Sequence, residues 1–398
     1  MKILFISSSI PPVTDMHTIR NIQLLEYFIK NKIKFDIICT KKCTNVSLNQ
    51  NSNIYYISTD LLFNRVSTFL IEKIKINFLT KVFNVLSKFF FIPDNFMGWP
   101  ELFEKENINN IDLTGYTHIY SSSGSFFAHV IASKLKAKYE EIKWIADYGD
   151  PWGINKYGTI NKSKSTLEIN TISNCDKIFV TTRNTEKYYS KYLISKNINI
   201  PLVFFPCGFT KKKYDSINYD ISKFIKISYA GVAFKKDRDL TKILKVVNEN
   251  SRYIMEVCGT YSSSYVKYSV GNNRVIFKGK LGYENAQRIL ENSNVLLHIG
   301  NKGYLQIPGK TYILLSIPKP IIYIRQEKQH DPTFELLNNM KGVVFCFNNI
   351  KSIKKALTFV SLNYENLLQD SIRRQSDKEF TKYEWTNIFN NIIGEFNE

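Results

Sequence analysis

Short apolar runs alternate with longer amphipathic stretches from the first residues of the chain. That alternation restricts the fold more than any other feature. Lys2 to Ser7 reads as a buried strand. A polar loop with Pro11 and Pro12 follows, then a helix from about Thr18, with Ile22, Leu25 and Ile29 at helical spacing. Phe35 to Cys39 is the next strand. Strand, loop, helix, strand is a βαβ unit, which predicts parallel pairing. The pattern resumes after Tyr116: strand His118–Ser121, helix Ser125–Tyr139, strand Lys143–Asp147, helix around Thr166–Asn174 and strand Lys177–Thr181. A helix near Asn184–Leu193 and a strand Leu202–Phe205 complete the first series. A second series starts at Ile225, with a helix marked by Leu240, Ile243, Leu244 and Val247 and Asp239 as a candidate N-cap. Strands follow near Tyr253–Cys258, Arg274–Lys278, Asn294–Ile299 and Ile321–Ile324, and a helix around Glu384–Phe396 closes the chain. The expected fold class is α/β, with two doubly wound Rossmann-like domains facing across a cleft. The expected domains are 1–210, completed by a C-terminal helix at 380–398, and 211–379, with a linker near 207–222.

The length of 398 residues supports this division, because single cores rarely grow past roughly 250–300 residues. Lys and Arg number 54 against 35 Asp and Glu, a net charge of +19 that favours anionic partners without choosing among them. The six cysteines have no C-x-x-C or zinc-ligand spacing, and most sit in apolar runs, as expected for reduced, buried thiols. The apolar N-terminal run is too short for a signal-peptide core, and no apolar stretch has bilayer length. The expected location is the cytoplasm, either free or peripheral on the inner face of the cytoplasmic membrane. Residues 61–92 motivate the second alternative. Phe78, Val82, Val85, Leu86 and Phe89 form one helical face, and Arg65, Lys73, Lys75, Lys81 and Lys88 stand against a single acid, Glu72. Such a segment can lie on an anionic membrane or pack as an ordinary core helix.

The stretch QIPGKTYILLSIPKPII, Gln306 to Ile322, concentrates the chemistry. Pro308 suits the first turn of a helix, which must stop before Pro318. Lys310 in that first turn opposes the helix dipole, unless an anion is held there by the ammonium and free backbone N–H groups. The alternative is a lysine that extends into solvent. A second cationic group, GVAFKKDR at 231–238, follows a strand directly. Gly231 permits a turn and close ligand approach, with Lys235, Lys236 and Arg238 expected at the next helix start. A solvated charge run is the competing reading. In the first half, Asp147 and Asp150 flank Tyr148-Gly149 at a strand end. They suit acid–base work or a turn with a capping carboxylate. His17 lies in the first strand–helix loop, where a ligand contact is expected. No histidine or cysteine pattern predicts a metal site.

Several of these stretches resemble retaining GT-B glycosyltransferases of the family 4 type, in particular bacterial enzymes that build capsule or lipopolysaccharide. IPDNFMGWP (92–100), YSSSGSFFAHVIASKL (120–135), KWIADYGDPW (143–152), ISYAGVAFKKDRDL (227–240), residues 294–322 and YEWTNIFNNII (383–393) carry the resemblance. It implies transfer of a sugar from a nucleotide-sugar donor to a glycan or lipid-linked glycan, with no cofactor. It also implies donor contacts at Gly231, Arg238 and Lys310; the residues themselves add Lys236, Gln306, Pro308 and Gly309 as donor-side candidates and Asp150, Asp147 and His17 as catalytic candidates. Two positions depart from the family pattern. Ile313 stands where a ribose-binding glutamate is usual, and Gly149 where an arginine is usual. The alternative functions are a GT-B nucleotide-sugar epimerase and a basic protein binding nucleic acid or other anions, although nucleic-acid motifs are missing.

Overall fold

The computed structural model describes residues 1–11, 16–40, 52–57, 111–124, 126–212, 214, 220–271, 273–326 and 330–396. The basic segment 61–92 and the stretch 92–100 lie outside the described residues. The chain divides into two compact units, Met1–Phe205 with Ile392–Glu398, and Pro206–Asn391.

The first unit holds strands β1 (Lys2–Ser7), β2 (Lys34–Thr40), β3 (Ile54–Ile57), β4 (His118–Ser122), β5 (Lys143–Tyr148), β6 (Lys177–Val180) and β7 (Leu202–Phe204). They form one sheet in the order β3-β2-β1-β4-β5-β6-β7, parallel at every pairing. Helices α1 (Met16–Lys30), α2 (Phe127–Lys138), α3 (Lys162–Ile172) and α4 (Arg183–Ile194) connect them. Near-continuous burial along β1, β4 and β5 explains their apolar runs, since a strand covered on both faces has no solvent side.

The second unit repeats the plan with β8 (Ile225–Ala230), β9 (Tyr253–Cys258), β10 (Val275–Gly279), β11 (Val295–Ile299), β12 (Ile321–Arg325) and β13 (Val343–Phe347), in the order β10-β9-β8-β11-β12-β13. Its helices are α5 (Thr241–Asn248), α6 (Tyr283–Glu291), α7 (Lys310–Ser316), α8 (Pro332–Leu337), α9 (Ile350–Leu362), α10 (Tyr364–Arg374), α11 (Lys378–Thr381) and α12 (Trp385–Ile392). The sheet splits its side chains between two apolar clusters. Val295, Leu297, Ile299, Ile322 and Ile324 enter one, and Leu296, Ile321 and Tyr323 enter the other with Leu314 and Leu315 of α7. The period of two along each strand therefore fixes α7 on one face of this sheet.

Both sheets are doubly wound. The strand order reverses between β1 and β4 in the first, and between β8 and β11 in the second. In such sheets ligands bind beyond the carboxyl ends of the strands at the reversal.

Two boundaries differ from expectation. The division falls between Phe205 and Pro206, not after 210, because Phe209 stacks on Phe380 at 4.2 Å and pairs with Glu384. For the same reason residues 380–391 belong to the second unit, and the chain joins the first only from Ile392. There Phe396 packs against Phe28, Tyr120 and Phe179. Cys39, Cys175, Cys258 and Cys346 are buried, and Cys207 is half-buried. No described helix is long and apolar enough to cross a membrane.

Candidate functional site

In the second unit the carboxyl end of β8 runs into Gly231, whose φ of +138° lies where side chains are strained. Gly259 follows the neighbouring β9, and a Cβ there would lie 2.2 Å from the Gly231 carbonyl oxygen. The two backbones thus meet at a distance only glycine allows. On the open side, a Cβ on Gly231 would stand 3.2 Å from Lys310 Nζ.

Lys310 begins α7 and reaches back across the sheet end. Its Nζ sits 3.5 Å from the Ala230 carbonyl oxygen and 4.3 Å from the centre of the Tyr229 ring. The carbonyl contact is too long to be a strong hydrogen bond. Burial, and next the positive charge of Arg238, push the lysine well below its ordinary pKa, with Cys258 acting slightly the other way. Arg238 is half-buried. Its Nε donates to Asn301 Oδ1 at 2.9 Å, Nη2 donates to the same oxygen, and Nη1 lies 3.4 Å from the Val232 carbonyl oxygen. Asn301 follows β11, so Arg238 bridges the two strand ends at which the order reverses. Neither cation has a carboxylate partner among the described residues.

Beneath them, His298 on β11 is fully buried, and its Nε2 is 2.8 Å from Thr311 Oγ1. Burial, then Lys310 and Arg238, hold its pKa well below the ordinary value, so the ring is neutral. Two cations and a neutral histidine converge on one sheet end, an arrangement that fits a polyanion.

The sequence expectations are sharpened here. Pro308 does not lie in the first helical turn. Its carbonyl accepts the Thr311 N–H at 2.8 Å and the Gly309 carbonyl accepts that of Tyr312 at 3.2 Å, a tight turn leading into the seven-residue α7. Gln306, Pro308 and Gly309 are half-buried in the loop that delivers Lys310. The KKDR run forms a turn, not a helix start, because α5 begins only at Thr241. The N-cap is Leu240, not Asp239, and it makes no side-chain cap bond; Asp239 Oδ1 accepts the Thr241 N–H at 3.0 Å from one position earlier. Lys236 is exposed on the turn, and of the run's cations only Arg238 reaches the strand ends. Ile313 is half-buried on α7.

The first unit builds a different polar centre. Asp147 at the end of β5 is buried and receives two 2.9 Å hydrogen bonds from Arg20 Nε and Nη2. Tyr120 O–H donates to it at 2.7 Å. Arg20 is equally buried and lies over the Phe205 ring at 3.5 Å. With its oxygens taken up this way, Asp147 anchors α1 to the sheet and is poorly placed to act as a base. Asn21 on the same helix turn donates to Ser7 Oγ and the Ser9 carbonyl, and accepts from Ser122 Oγ at 2.8 Å. Arg20 and Asn21 thus fix the first strand–helix loop.

His17 packs on Gly149. A Cβ at residue 149 would fall 1.9 Å from His17 Cε1, so glycine here makes room for the imidazole. Asp150, the next residue, is exposed. Below this loop, Glu168 on α3 is buried and accepts the Trp152 N–H at 3.0 Å. Burial pushes its pKa up to about 7, against the lowering effect of the Trp152 and Gly153 N–H groups. The folded pKa exceeds the ordinary 4.5, so the native state binds the extra proton between about pH 4.5 and 7. Its contribution to stability is full below pH 4.5 and is lost as pH rises through 7. Glu168→Gln is expected to remove that slope and to stabilise the protein by about 3 kcal/mol above pH 7, read from urea unfolding at pH 5 and pH 8. An unchanged slope would contradict this assignment.

Sequence reasoning missed Arg20, Asn21, His298 as a partner of Thr311, Asn301 and Glu168. A basic and an amide residue together in the first helical turns of α1 was the available signal for the first two. Among the described residues no cluster of three or more His, Cys, Asp or Glu could hold a metal ion.

No protein-family model matches the chain. No curated protein sequence matches it. Solved structures do match over its whole length. Sucrose-phosphate synthase from Thermosynechococcus elongatus aligns with a TM-score of 0.65 at 14% identity, covering 100% of this chain and 98% of that one. HepE of Anabaena in complex with UDP aligns with a TM-score of 0.66 at 10% identity, covering 100% of both chains. The fold is GT-B. The lipopolysaccharide outer core galactosyltransferase WaaB is also similar, with a TM-score of 0.53, 12% identity and 99% of both chains covered. The GT-B fold agrees with the two parallel sheets, one of seven strands and one of six.

Proposed function

We propose that the protein is a glycosyltransferase that moves a sugar from a nucleoside-diphosphate sugar to a glycan or lipid-linked glycan, retaining the anomeric configuration. The observation that carries this is the pair of Lys310 and Arg238 at the β8 and β11 ends, without a carboxylate partner among the described residues. Two neighbouring cations are costly when the site is empty and favourable when a polyanion sits between them. A diphosphate answers that charge. It is also the group whose negative charge grows as a glycosidic bond breaks, so the same two side chains would stabilise the departing group. The UDP held by the HepE structure supports a nucleotide donor, and the likeness to WaaB supports a place in bacterial surface polysaccharide synthesis.

Retention is supported by the state of Asp147. An inverting enzyme needs a protein base within reach of the acceptor hydroxyl. Asp147 is engaged by Arg20 and Tyr120, which leaves Asp150 and His17 as the acceptor-side candidates. In a retaining reaction the leaving phosphate oxygen takes the acceptor's proton, and the protein supplies position and charge. Incubation with UDP- and GDP-sugars and acceptor glycans is expected to give an acceptor-dependent product with the donor's configuration, read from the anomeric coupling constant. EDTA is expected to leave the rate intact. Sugar conversion without acceptor would replace this reading with that of an epimerase. An inverted product, with Asp150→Asn folded but inactive, would make Asp150 the base.

The composition of residues 61–92 supports peripheral attachment to the inner face of the cytoplasmic membrane as part of this reading. Flotation with anionic liposomes should fall when Lys73, Lys75, Lys81 and Lys88 become Gln, each charge contributing roughly 1 kcal/mol. Unchanged flotation would make the segment a core helix.

A further inference from the structure

Helix α7 carries Lys310 at its first position and is only seven residues long. A helix that short does not hold its shape alone, so its ends must be fixed by other elements. At its start, Thr311 is tied to His298 on β11. At its end, the Leu315 carbonyl and two carbonyls just past the helix are collected by one side chain from another helix. Arg374, the last residue of α10, is fully buried. Its Nε donates to the Leu315 carbonyl at 3.1 Å, and Nη2 donates to Ile317 at 2.9 Å and Lys319 at 3.2 Å. Nη1 donates to Lys341 at 2.5 Å. Gln375 Nε2 adds a second bond to the Leu315 carbonyl at 3.0 Å.

A buried guanidinium normally faces a carboxylate. Here it faces four main-chain oxygens, three of them in or just after α7, where the helix dipole is negative. A planar fork of five N–H donors can serve such a set, and a lysine ammonium cannot. Burial draws the group down to about 9, which still leaves it charged at neutral pH.

We infer that Arg374 is a positioning residue for the donor site, holding the carboxyl end of α7 so that Lys310 at the other end meets the diphosphate. The inference rests on the reading that Lys310 binds that diphosphate. It acts through main chain, since Leu315 is five residues from Lys310 and packs with Leu314 in the cluster beneath the helix.

The test compares UDP and uridine binding to the full-length protein by calorimetry, in wild type, Arg374→Lys, Lys310→Ala and the double variant. Arg374→Lys is expected to weaken UDP at least tenfold and uridine less than twofold, because only the diphosphate senses the lysine. The double variant is expected to bind UDP no more weakly than Lys310→Ala alone, since both changes remove one interaction. If Arg374→Lys lowers the melting temperature yet leaves UDP affinity within twofold, or weakens UDP and uridine equally, the inference is overturned. If Lys310→Ala itself leaves UDP affinity unchanged, the donor-site reading fails instead. Should Arg374→Lys not fold, Gln375→Met removes one bond to Leu315 and carries the same comparison. About a threefold loss for UDP alone supports the inference, and no loss or an equal loss for both ligands overturns it.

Discussion

Replacing Arg20 by Met is expected to destabilise the protein by about 3–5 kcal/mol, the usual cost of leaving one member of a buried ion pair without the other. Asp147 would keep only the Tyr120 hydroxyl bond, at an exposure of 1%. The Phe205 ring would also lose its cation. For a unit of this size the melting temperature should fall by roughly 10 °C. The pair Arg20→Met with Asp147→Asn should cost less than the sum of the single changes, because the second removes the charge that the first strands. A loss below 1 kcal/mol for Arg20→Met would mean that water reaches Asp147 and that the pair does not anchor α1.

Lys310→Ala and Arg238→Ala are each expected to weaken UDP or UDP-sugar binding by about 2–5 kcal/mol, the range for removing one partner of a desolvated charge pair. The two differ in their effect on the empty protein. Lys310 is held near its own kind of charge, with one long hydrogen-bond contact to Ala230 and the Tyr229 ring 4.3 Å away, so its removal should leave stability unchanged or raise it. Arg238 also ties Asn301 to Val232, so its removal should loosen the β11 end as well. Lys236→Ala should cost less than either, because Lys236 is exposed on the turn. A Lys236 effect as large as that of Lys310 would redraw the site.

The fold was legible where strands are buried on both faces. The β9 and β12 runs are apolar apart from Glu256 and the terminal Arg325, and their expected limits lie within a residue of those observed. The edge strands β3 and β13 were not read. Ile54 to Tyr56 stands partly in solvent and β13 alternates between half-buried and buried, so neither is framed by a sharp change of polarity. Lys310 could be picked out because a cation is a poor choice for a first helical turn. The KKDR run could not reveal which of its cations turns inward, since that depends on Asn301, 63 positions from Arg238. The Arg20–Asp147 pair joins residues 127 positions apart. Local periodicity carries no trace of such a pairing, and Asp147 therefore read as a free acid beside Asp150. The contact of His17 with Gly149 is of the same kind: a missing side chain at one position is the space another occupies.

The most direct measurement of the central claim is the position of UDP in a crystal of the protein grown with the nucleotide. The account predicts diphosphate oxygens within about 3 Å of Lys310 Nζ and of the Arg238 guanidinium, beside the bare backbone of Gly231. A nucleotide bound away from both cations, or a site empty at saturating UDP, would contradict it.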